Sequence, residues 1–266
     1  MDRKPARILS IAGSDSSGGA GIQADIKTIT MLGGYAMTAI TAITAQNTRG
    51  VQAVEMLPVE LVLAQIESCL SDIGADAIKI GMLGSPEVAN AVAERIDSFA
   101  GPIVFDPVMV ATSGAELASA ETIAAFDRLL AIASLTTPNL PELAALSGME
   151  PDTSDAILEA AMALARRHGV QVLAKGGHRD DAEVLDYIAS PSGKYASFGH
   201  ARIDTRHTHG TGCTLSAALA TLLGFGQPLT NAIQLARAFT YRAIELAPEF
   251  GEGSGPLGQQ AVRKLD

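Results

Sequence analysis

The chain has 266 residues, of which 47% are hydrophobic, and it carries a net charge of −10 with a pI near 4.9. This length allows one large α/β domain or two small ones, and the acidic balance argues against nucleic acid or an anionic membrane surface as a partner. The two cysteines, Cys69 and Cys213, are too few for a disulfide framework or a four-ligand zinc site, and they suit a reducing cytosol.

The first half of the chain alternates short apolar runs with stretches in which apolar residues recur at helical spacing. Glycine or proline bounds several of these segments, as at Gly33-Gly34 and Pro58. Cys69 falls on the apolar face of one predicted helix, so we expect it in the core. The pattern predicts strands at 8–12, 35–44, 77–80 and 103–105, and helices at 22–32, 58–71 and 86–99.

The second half continues the alternation. The tail from Gly251 to Gly258 is rich in glycine, and we expect it to be loose. Apolar strands that alternate with helices predict a parallel sheet covered on both faces, and no composition break divides residues 1–266 into more than one domain. The pattern predicts helices at 120–133 and 155–168, strands at 135–137 and 170–174, a hairpin of strands at 184–189 and 194–198, and two last helices from Thr211 and Pro228.

Polar residues and glycines lie where the predicted strands end. Ligands bind at the carboxyl ends of the strands in an open parallel sheet, so these residues predict a site. Each acid alone is more often a solvated charge or a helix cap, but carboxylates around an anion site suggest a magnesium nucleotide. The clusters are 13–15, Gln46 and Asn47, Gly81 and Met82, Asp106, Asn139 and Glu142, and 175–178.

The turn His209-Gly210-Thr211-Gly212-Cys213 precedes a helical run of small residues. Glycines at a helix start let free N–H groups face an anion, and the helix dipole adds to the attraction. Cys213 lies in the same turn, where we expect a lowered thiol pKa. The alternative is a glycine-rich helix start with a buried cysteine. We interpret His207 and His209 as loop residues and not as metal ligands.

Three familiar motifs fit the sequence poorly. Residues 19–24 match G-x-G-x-x-A, but no carboxylate follows at 42–47 to hold a dinucleotide ribose. Residues 13–18 have the spacing of a phosphate-binding P-loop, but Gly19 stands where its lysine belongs. The nucleophile elbow G-x-S-x-G of the α/β-hydrolases is absent.

Seven motifs in order resemble the hydroxymethylpyrimidine/phosphomethylpyrimidine kinases of thiamine biosynthesis, within the ribokinase-like superfamily. The resemblance covers nearly the whole chain and implies a three-layer sandwich, with a mostly parallel central sheet and helices on both faces. It also implies transfer of phosphate from ATP, with Mg²⁺, to 4-amino-5-hydroxymethyl-2-methylpyrimidine and then to its monophosphate, by a cytoplasmic homodimer. The motifs lie at residues 11–25, 45–48, 79–83, 106–110, 137–142, 175–178 and 208–214.

The resemblance also implies roles for individual residues. It places the aminopyrimidine against Asp25 and Gln46, in a pocket lined by Gly13, Met82 and Val108. It assigns the metal to Asp106 and Glu142, the nucleotide to Asn139, Lys175, Thr208 and Arg237, and the anion hole to Gly210, Thr211 and Gly212. Cys213 takes the place where most of the superfamily carries a catalytic aspartate. Two departures are the loop 112–115, which lacks the acid that often follows its Ser-Gly, and Arg237, which stands where some relatives have lysine.

Two questions stay open at this point. A vitamin B6 kinase is the alternative function, because relatives phosphorylate pyridoxal on a similar hydroxymethyl group, and a non-catalytic binding module is a third. Cys213 is either the base that deprotonates the substrate hydroxyl or a space-filling residue beside backbone N–H groups that do most of the catalysis.

Overall fold

The computed structural model describes residues 4–110, 114, 117–177 and 182–263. Within these residues nine strands join a single sheet. The strands are β1 (Arg7–Asp15), β2 (Tyr35–Asn47), β3 (Gly50–Met56), β4 (Ala77–Ile80), β5 (Ile103–Phe105), β6 (Leu135–Thr136), β7 (Gln171–Ala174), β8 (Glu183–Ala189) and β9 (Tyr195–Ala201).

Eight α-helices and one short 3₁₀ turn, Gln259–Ala261, accompany the sheet in the described part of the chain. The helices are α1 (Gly21–Met31), α2 (Val59–Asp72), α3 (Pro86–Ile96), α4 (Ala120–Ile132), α5 (Leu140–Ser147), α6 (Ser154–His168), α7 (Thr211–Gly224) and α8 (Leu229–Glu245). Among the described residues, no helix combines the length and the apolar character that crossing a bilayer demands.

The strand order is β3-β2-β1-β4-β5-β6-β7-β8-β9. The six strands from β2 to β7 in this order are parallel, whereas β3 at one edge and β8 and β9 at the other are antiparallel to their neighbours. The chain leaves β1 toward one edge and returns to add β4 on its other side. The loops after these two strands therefore diverge, and a crevice opens between them.

The sheet is covered by helices on both faces, as the sequence predicts. Leu9 and Phe105 pack with α2 to α6, whereas their neighbours Ile8 and Val104 pack with α1, α7 and α8. Successive strand residues point to opposite faces, so strands buried on both sides need continuous apolar runs. Each fully buried Leu, Ile or Phe stabilises the fold by about 1.5–3 kcal/mol. The predicted three-layer sandwich is confirmed.

Most predicted elements are present, and β4 and β5 have the predicted bounds. The sequence pattern does not predict β3, an edge strand whose residues are mostly exposed, or α5, which is eight residues long. Cys69 is half-buried and packs against the core, and is not fully enclosed.

The expectation of a loose tail is wrong. The backbone carbonyl of Gly255 accepts a hydrogen bond from the N–H of His209 at 3.1 Å, and the N–H of Gly258 donates to the carbonyl of Ala243 at 2.8 Å. The Gln259 side chain, fully buried, donates to the hydroxyl of Thr214 at 3.0 Å. The tail is held because neighbouring backbone and side-chain groups pair with its polar atoms.

Candidate active site

A cavity of about 940 Å³ lies at the carboxyl ends of the parallel strands, where the crevice between β1 and β4 opens. Of the fifteen residues that the sequence analysis assigns to the site, all except Asp25 line this cavity. Residues from both ends of the chain meet here, because the first and last parts of the chain cover the same strand ends. In the loop 112–115, which lacks the acid often found after its Ser-Gly, residues 112, 113 and 115 lie outside the described residues.

Helix α7 begins without a side-chain cap. Its N-cap residue, Gly210, has a left-handed backbone with φ of +88°, and a Cβ there would lie 1.9 Å from the carbonyl oxygen of Gly19. The first bond of the helix runs from the N–H of Thr214 to the carbonyl of Gly210 at 2.8 Å. The N–H groups of Gly212 and Cys213 precede it and have no acceptor within the helix. They are therefore available to an anion in the cavity.

Lys175 and Asp106 form an ion pair beside this turn, with Lys175 Nζ 2.9 Å from Asp106 Oδ1. The Asp106 carboxylate also accepts hydrogen bonds from two hydroxyl groups: Thr137 donates to Oδ1 at 2.9 Å, and Ser216 donates to Oδ2 at 3.2 Å. Burial by itself would raise the pKa of Asp106, but the cations of Lys175 and Lys79 outweigh it and hold that pKa below its usual value. The Lys175 ammonium is therefore held at the cavity wall by the ionised carboxylate of Asp106.

Helix α5 begins with a complete capping box. The N–H of Glu142 donates to Asn139 Oδ1 at 2.8 Å, and the N–H of Asn139 donates to Glu142 Oε2 at 2.7 Å. Burial raises the pKa of Glu142 to about 7; the Lys175 ammonium, 3.8 Å away, opposes the shift, and Asp106 adds to it. Through these two hydrogen bonds Glu142 stabilises the start of its own helix, as a helix-capping acid does without any role in binding.

Cys213 is half-buried and lines the cavity, but its thiol does not have the lowered pKa that the sequence suggests. Burial raises the pKa of Cys213 to about 11, and the carboxylates of Asp25 and Asp106 add to that. The ammonium of Lys79 and a hydrogen bond from the N–H of Gly21 act in the opposite direction and do not compensate. Removal from water disfavours the thiolate more than the Lys79 ammonium and the Gly21 hydrogen bond favour it.

Asp25 lies beneath the cavity and not in its wall, which corrects its expected position. It is fully buried on α1, and its Oδ2 accepts hydrogen bonds from Ser10 Oγ at 2.6 Å and from Lys79 Nζ at 2.8 Å. Burial raises the pKa of Asp25, and the adjacent Lys79 ammonium opposes that rise. Asp25 is linked to the cavity by its ion pair with Lys79, which lines the cavity.

Lys79 was missed by the sequence analysis. Burial would lower the pKa of Lys79, but the neighbouring Asp25, Cys213 and Asp106 outweigh it and raise that pKa. The sequence feature that could have identified it is a lysine within the apolar run Ala77–Ile80, a strand in which every residue is buried. A buried lysine needs a carboxylate partner, and the sequence does not identify which one.

Asp15 and His209 were also missed as a pair. His209 Nε2 lies 2.8 Å from Asp15 Oδ2, and both side chains are buried. His209 does lie in the loop before α7, as expected, but its side chain is buried and not exposed to solvent. The sequence offered only an acid at the end of β1 and a histidine directly before the Gly-Thr-Gly turn, 194 residues apart.

The residues expected to hold the substrate ring, apart from Asp25, all line the cavity: Gly13, Gln46, Met82 and Val108. A Cβ at position 13 would lie 2.7 Å from the sulfur of Met82, so a larger residue there would push the Met82 side chain aside. The Gln46 amide oxygen lies 3.2 Å from the Thr44 hydroxyl. The amide nitrogen lies 3.4 Å from His209 Nε2.

Arg237 also lines the cavity, and its guanidinium is engaged by the protein itself. Its Nε donates to Asp186 Oδ2 at 2.8 Å, and its Nη2 donates to the carbonyl of Phe198 at 2.8 Å and lies 2.6 Å from His200 Nδ1. Asp186 also accepts the N–H of Gly176 at 2.9 Å. Sequence analysis missed Asp186, because it lies inside β8 and in no recognisable motif.

Comparison with known proteins gives consistent matches. The family model described as phosphomethylpyrimidine kinase matches residues 15–258. A hydroxymethylpyrimidine/phosphomethylpyrimidine kinase of Rhizobium meliloti (strain 1021) is 46% identical over 263 residues, which cover 95% of this chain and 96% of that protein. A thiamine biosynthesis multifunctional protein of Corynebacterium efficiens is 42% identical over 262 residues, and there the match covers 97% of this chain but only 36% of the relative.

A solved structure extends the similarity to the fold. The crystal structure of an ADP complex of Bacillus subtilis pyridoxal kinase superposes with a TM-score of 0.88 at 35% sequence identity. The superposition covers 97% of this chain and 98% of that one.

Proposed function

The chain belongs to the phosphomethylpyrimidine kinase family, and on that premise we propose that it transfers phosphate from ATP to 4-amino-5-hydroxymethyl-2-methylpyrimidine and then to the monophosphate formed. The observation that carries the proposal is one cavity that joins the Gly13–Gln46 end, the uncapped start of α7 and the Lys175–Asp106 pair. An acceptor, a transferring phosphoryl group and a cation can meet there. Release of ADP in the presence of the pyrimidine tests it directly.

The first part of the proposed mechanism is the anion hole. We assign the transferring phosphoryl group to the N–H groups of Gly212 and Cys213, with Gly210 and Thr211 shaping the turn. Phosphoryl transfer needs little covalent help from a protein, so positioning and charge stabilisation supply most of the rate. The absence of a side-chain cap on α7 supports this assignment, because no group of the helix's own competes for these donors.

The second part concerns charge at the nucleotide. Lys175 is held by Asp106, so its ammonium is positioned before a nucleotide arrives. We assign it to the phosphates, together with Asn139, and we place the rest of the nucleotide toward Thr208 and Arg237. Arg237 already carries Asp186 as its ion-pair partner, so we expect it to contribute shape and hydrogen bonding more than free charge.

The residues also fit magnesium bound through water. The described residues contain no cluster of three or more His, Cys, Asp or Glu side chains that would cage a metal ion. Mg²⁺ is commonly bound by one or two carboxylates, with water and substrate phosphates completing its coordination. Asp106 and Glu142 could supply those two carboxylates. Bound there, the ion would neutralise phosphate charge.

The third part is the proton of the substrate hydroxyl. A thiol with a pKa of about 11 is protonated near neutral pH, so Cys213 in the free protein is not poised as a base. We therefore favour the account in which backbone N–H groups supply most of the rate and the hydroxyl loses its proton late. Lys79 at the cavity floor is the charge that would stabilise a thiolate if one formed.

A vitamin B6 kinase is the second candidate, because the fold superposes on a pyridoxal kinase with a TM-score of 0.88. The amide of Gln46 favours the aminopyrimidine, since it offers both a donor and an acceptor to an amino-substituted ring edge. Steady-state kinetics with both substrates separates the candidates. A higher kcat/KM for pyridoxal than for the pyrimidine would reverse the choice, and no ADP release with either would favour a non-catalytic module.

A cytoplasmic homodimer remains a prediction from the family resemblance. Sedimentation equilibrium of the full chain tests the dimer, with a mass near twice the 27.4 kDa of one chain as the expected result.

A further inference from the structure

We propose that Asp15 and His209 are positioning residues that hold the acceptor loop, defined as residues 15–21, against the turn 208–213 so that acceptor and anion hole are aligned. The proposal rests on the kinase function proposed above. It concerns a contact between the segments 15–21 and 208–213, which the sequence of either segment does not reveal by itself.

Asp15 organises the acceptor loop from within. Its Oδ2 accepts hydrogen bonds from the N–H groups of Gly19 at 3.0 Å and Ala20 at 2.8 Å. Its Oδ1 accepts from the N–H of Ser17 at 2.9 Å and from the Ser17 hydroxyl at 2.8 Å. Burial would raise the pKa of Asp15, but His209 and these donors outweigh it and lower that pKa to about 2. The loop is therefore wrapped around an ionised carboxylate.

His209 links this carboxylate to the start of α7. Its ring Nε2 lies 2.8 Å from Asp15 Oδ2, and because an ionised carboxylate only accepts, Nε2 carries the proton and donates. The N–H of His209 donates to the carbonyl of Gly255 at 3.1 Å, so the ring and the backbone are both held. Gly210, the N-cap of α7, is the next residue.

The two segments also pack without room for a side chain between them. A Cβ at Gly19 would lie 2.3 Å from His209 Cδ2, and a Cβ at Gly210 would lie 1.9 Å from the carbonyl oxygen of Gly19. Two glycines at one contact let backbone meet backbone. The hydrogen bond between His209 and Asp15 therefore joins two segments whose shapes also fit closely together.

The contact bears on the reacting groups because both segments line the cavity. Ala20 and Gly21 of the acceptor loop lie on its wall with Gly210 and Cys213, and the N–H of Gly21 donates a hydrogen bond to Cys213. A misplacement of about 1 Å between reacting groups can cost about 100-fold in rate. Losing the His209–Asp15 bond would let the two segments separate while each keeps its own fold.

The experiment compares two substitutions of the same residue. In His209→Gln the side-chain amide nitrogen takes the place of the ring Nε2 and can still donate to Asp15, whereas in His209→Asn no donor reaches that position. We expect kcat to fall about 10- to 100-fold in His209→Asn and to stay within about fivefold of wild type in His209→Gln. ATP hydrolysis without acceptor should fall less than transfer, and the Kd for ADP by calorimetry should change less than about twofold.

His207→Asn is the matched control, because His207 is buried two residues away and its Nδ1 has no hydrogen-bond partner among the described residues. We expect it to lower Tm at most, with kcat unchanged. The proposal is overturned if the Gln and Asn variants of His209 have equal kcat, or if transfer, hydrolysis and ADP binding fall together in parallel with Tm. A wild type that phosphorylates neither acceptor would overturn the proposed function as well, whereas an active wild type with an equally active His209→Asn would overturn this proposal alone.

Discussion

Two helices begin at the same cavity and differ in how their first N–H groups are used. Helix α5 is closed by its own side chains, since Asn139 and Glu142 cap each other's backbone. Helix α7 has Gly210 as its N-cap, in a left-handed conformation and without a side-chain cap. A capped start is stable without a ligand, whereas an uncapped start keeps donors and the positive dipole end for an anion. The difference supports the proposed assignment of the phosphoryl group to the start of α7 and not to that of α5.

Closing the uncapped start should have the largest effect. A Cβ at Gly212 would lie 3.3 Å from Lys175 Nζ and 3.5 Å from Asp106 Oδ2, so a side chain there enters the proposed phosphoryl position. We expect Gly212→Asp to lower kcat by about 1000-fold or more, because its carboxylate occupies the N–H groups and repels the phosphates. Steady-state kinetics measures this.

Gly212→Ala is the control for that variant. Its methyl group meets only the flexible end of Lys175 and a carboxylate oxygen at near-contact distances, so we expect kcat within about tenfold of wild type. Equal losses in the Ala and Asp variants would mean that bulk and not charge explains the defect, and the anion-hole assignment would then be wrong.

Cys213→Ala is expected to have the next largest effect, and it tests whether α7 also activates a base. A general base contributes about 10²- to 10⁴-fold. Since the pKa of Cys213 is raised to about 11, we expect kcat to fall less than about tenfold in the alanine variant. A loss above about 100-fold with intact ADP binding would restore the base role.

The pH dependence of alkylation checks the same point. With a Cys213 pKa of about 11, the rate of its reaction with iodoacetamide should rise about tenfold for each pH unit from 7 to 10, because only the thiolate reacts. Mass spectrometry separates Cys213 from the half-buried Cys69. A plateau below pH 8 would show that the thiol is activated after all.

Glu142→Gln opens one half of the α5 capping box and should have a moderate effect. If Glu142 also orders magnesium, the Mg²⁺ concentration for half-maximal rate should rise several-fold. Asp127→Asn serves as the charge control, because Asp127 is an exposed acid on α4 that does not line the cavity. An unchanged magnesium curve would leave Glu142 as a helix cap alone.

The same variant tests the raised pKa of Glu142. The folded protein holds this proton up to about pH 7, whereas the ordinary pKa of a glutamate is 4.5. Between those values the folded state binds more protons than the unfolded state, so the free energy of unfolding falls as pH rises through that window. Denaturant unfolding from pH 4.5 to 7 should show a flatter dependence in Glu142→Gln, and an identical slope would contradict the raised pKa.

A capped helix away from the cavity should show the smallest effect. Thr153 caps α6, where its Oγ1 accepts the N–H of Ala156 at 3.2 Å. We expect Thr153→Ala to lower the free energy of unfolding by about 1 kcal/mol and to leave kcat unchanged. A large loss of kcat in this variant would mean that weakening any helix start lowers activity, whether or not that start lies at the cavity, and it would weaken the contrast between α5 and α7.

Much of the fold followed from local pattern. Ala77–Ile80 and Ile103–Phe105 are continuous apolar runs, which a strand covered on both faces requires, and both were located to the residue. β3 was missed because an exposed edge strand has little apolar signal. The tail was misjudged because its glycines are held by hydrogen bonds to distant residues.

The sequence by itself determined most of the strands and helices in their order and the Gly-Thr-Gly start of α7, since these depend on periodicity and caps over short stretches. Through the motifs that carry the family resemblance, it also gave fourteen of the cavity's residues. Tertiary structure decided the rest. It buried Asp25 against Lys79, paired Asp15 with His209 across 194 positions and raised the pKa of Cys213. Burial and charge pairing depend on which groups are brought together and how much water is excluded. Neither quantity is encoded within any one segment.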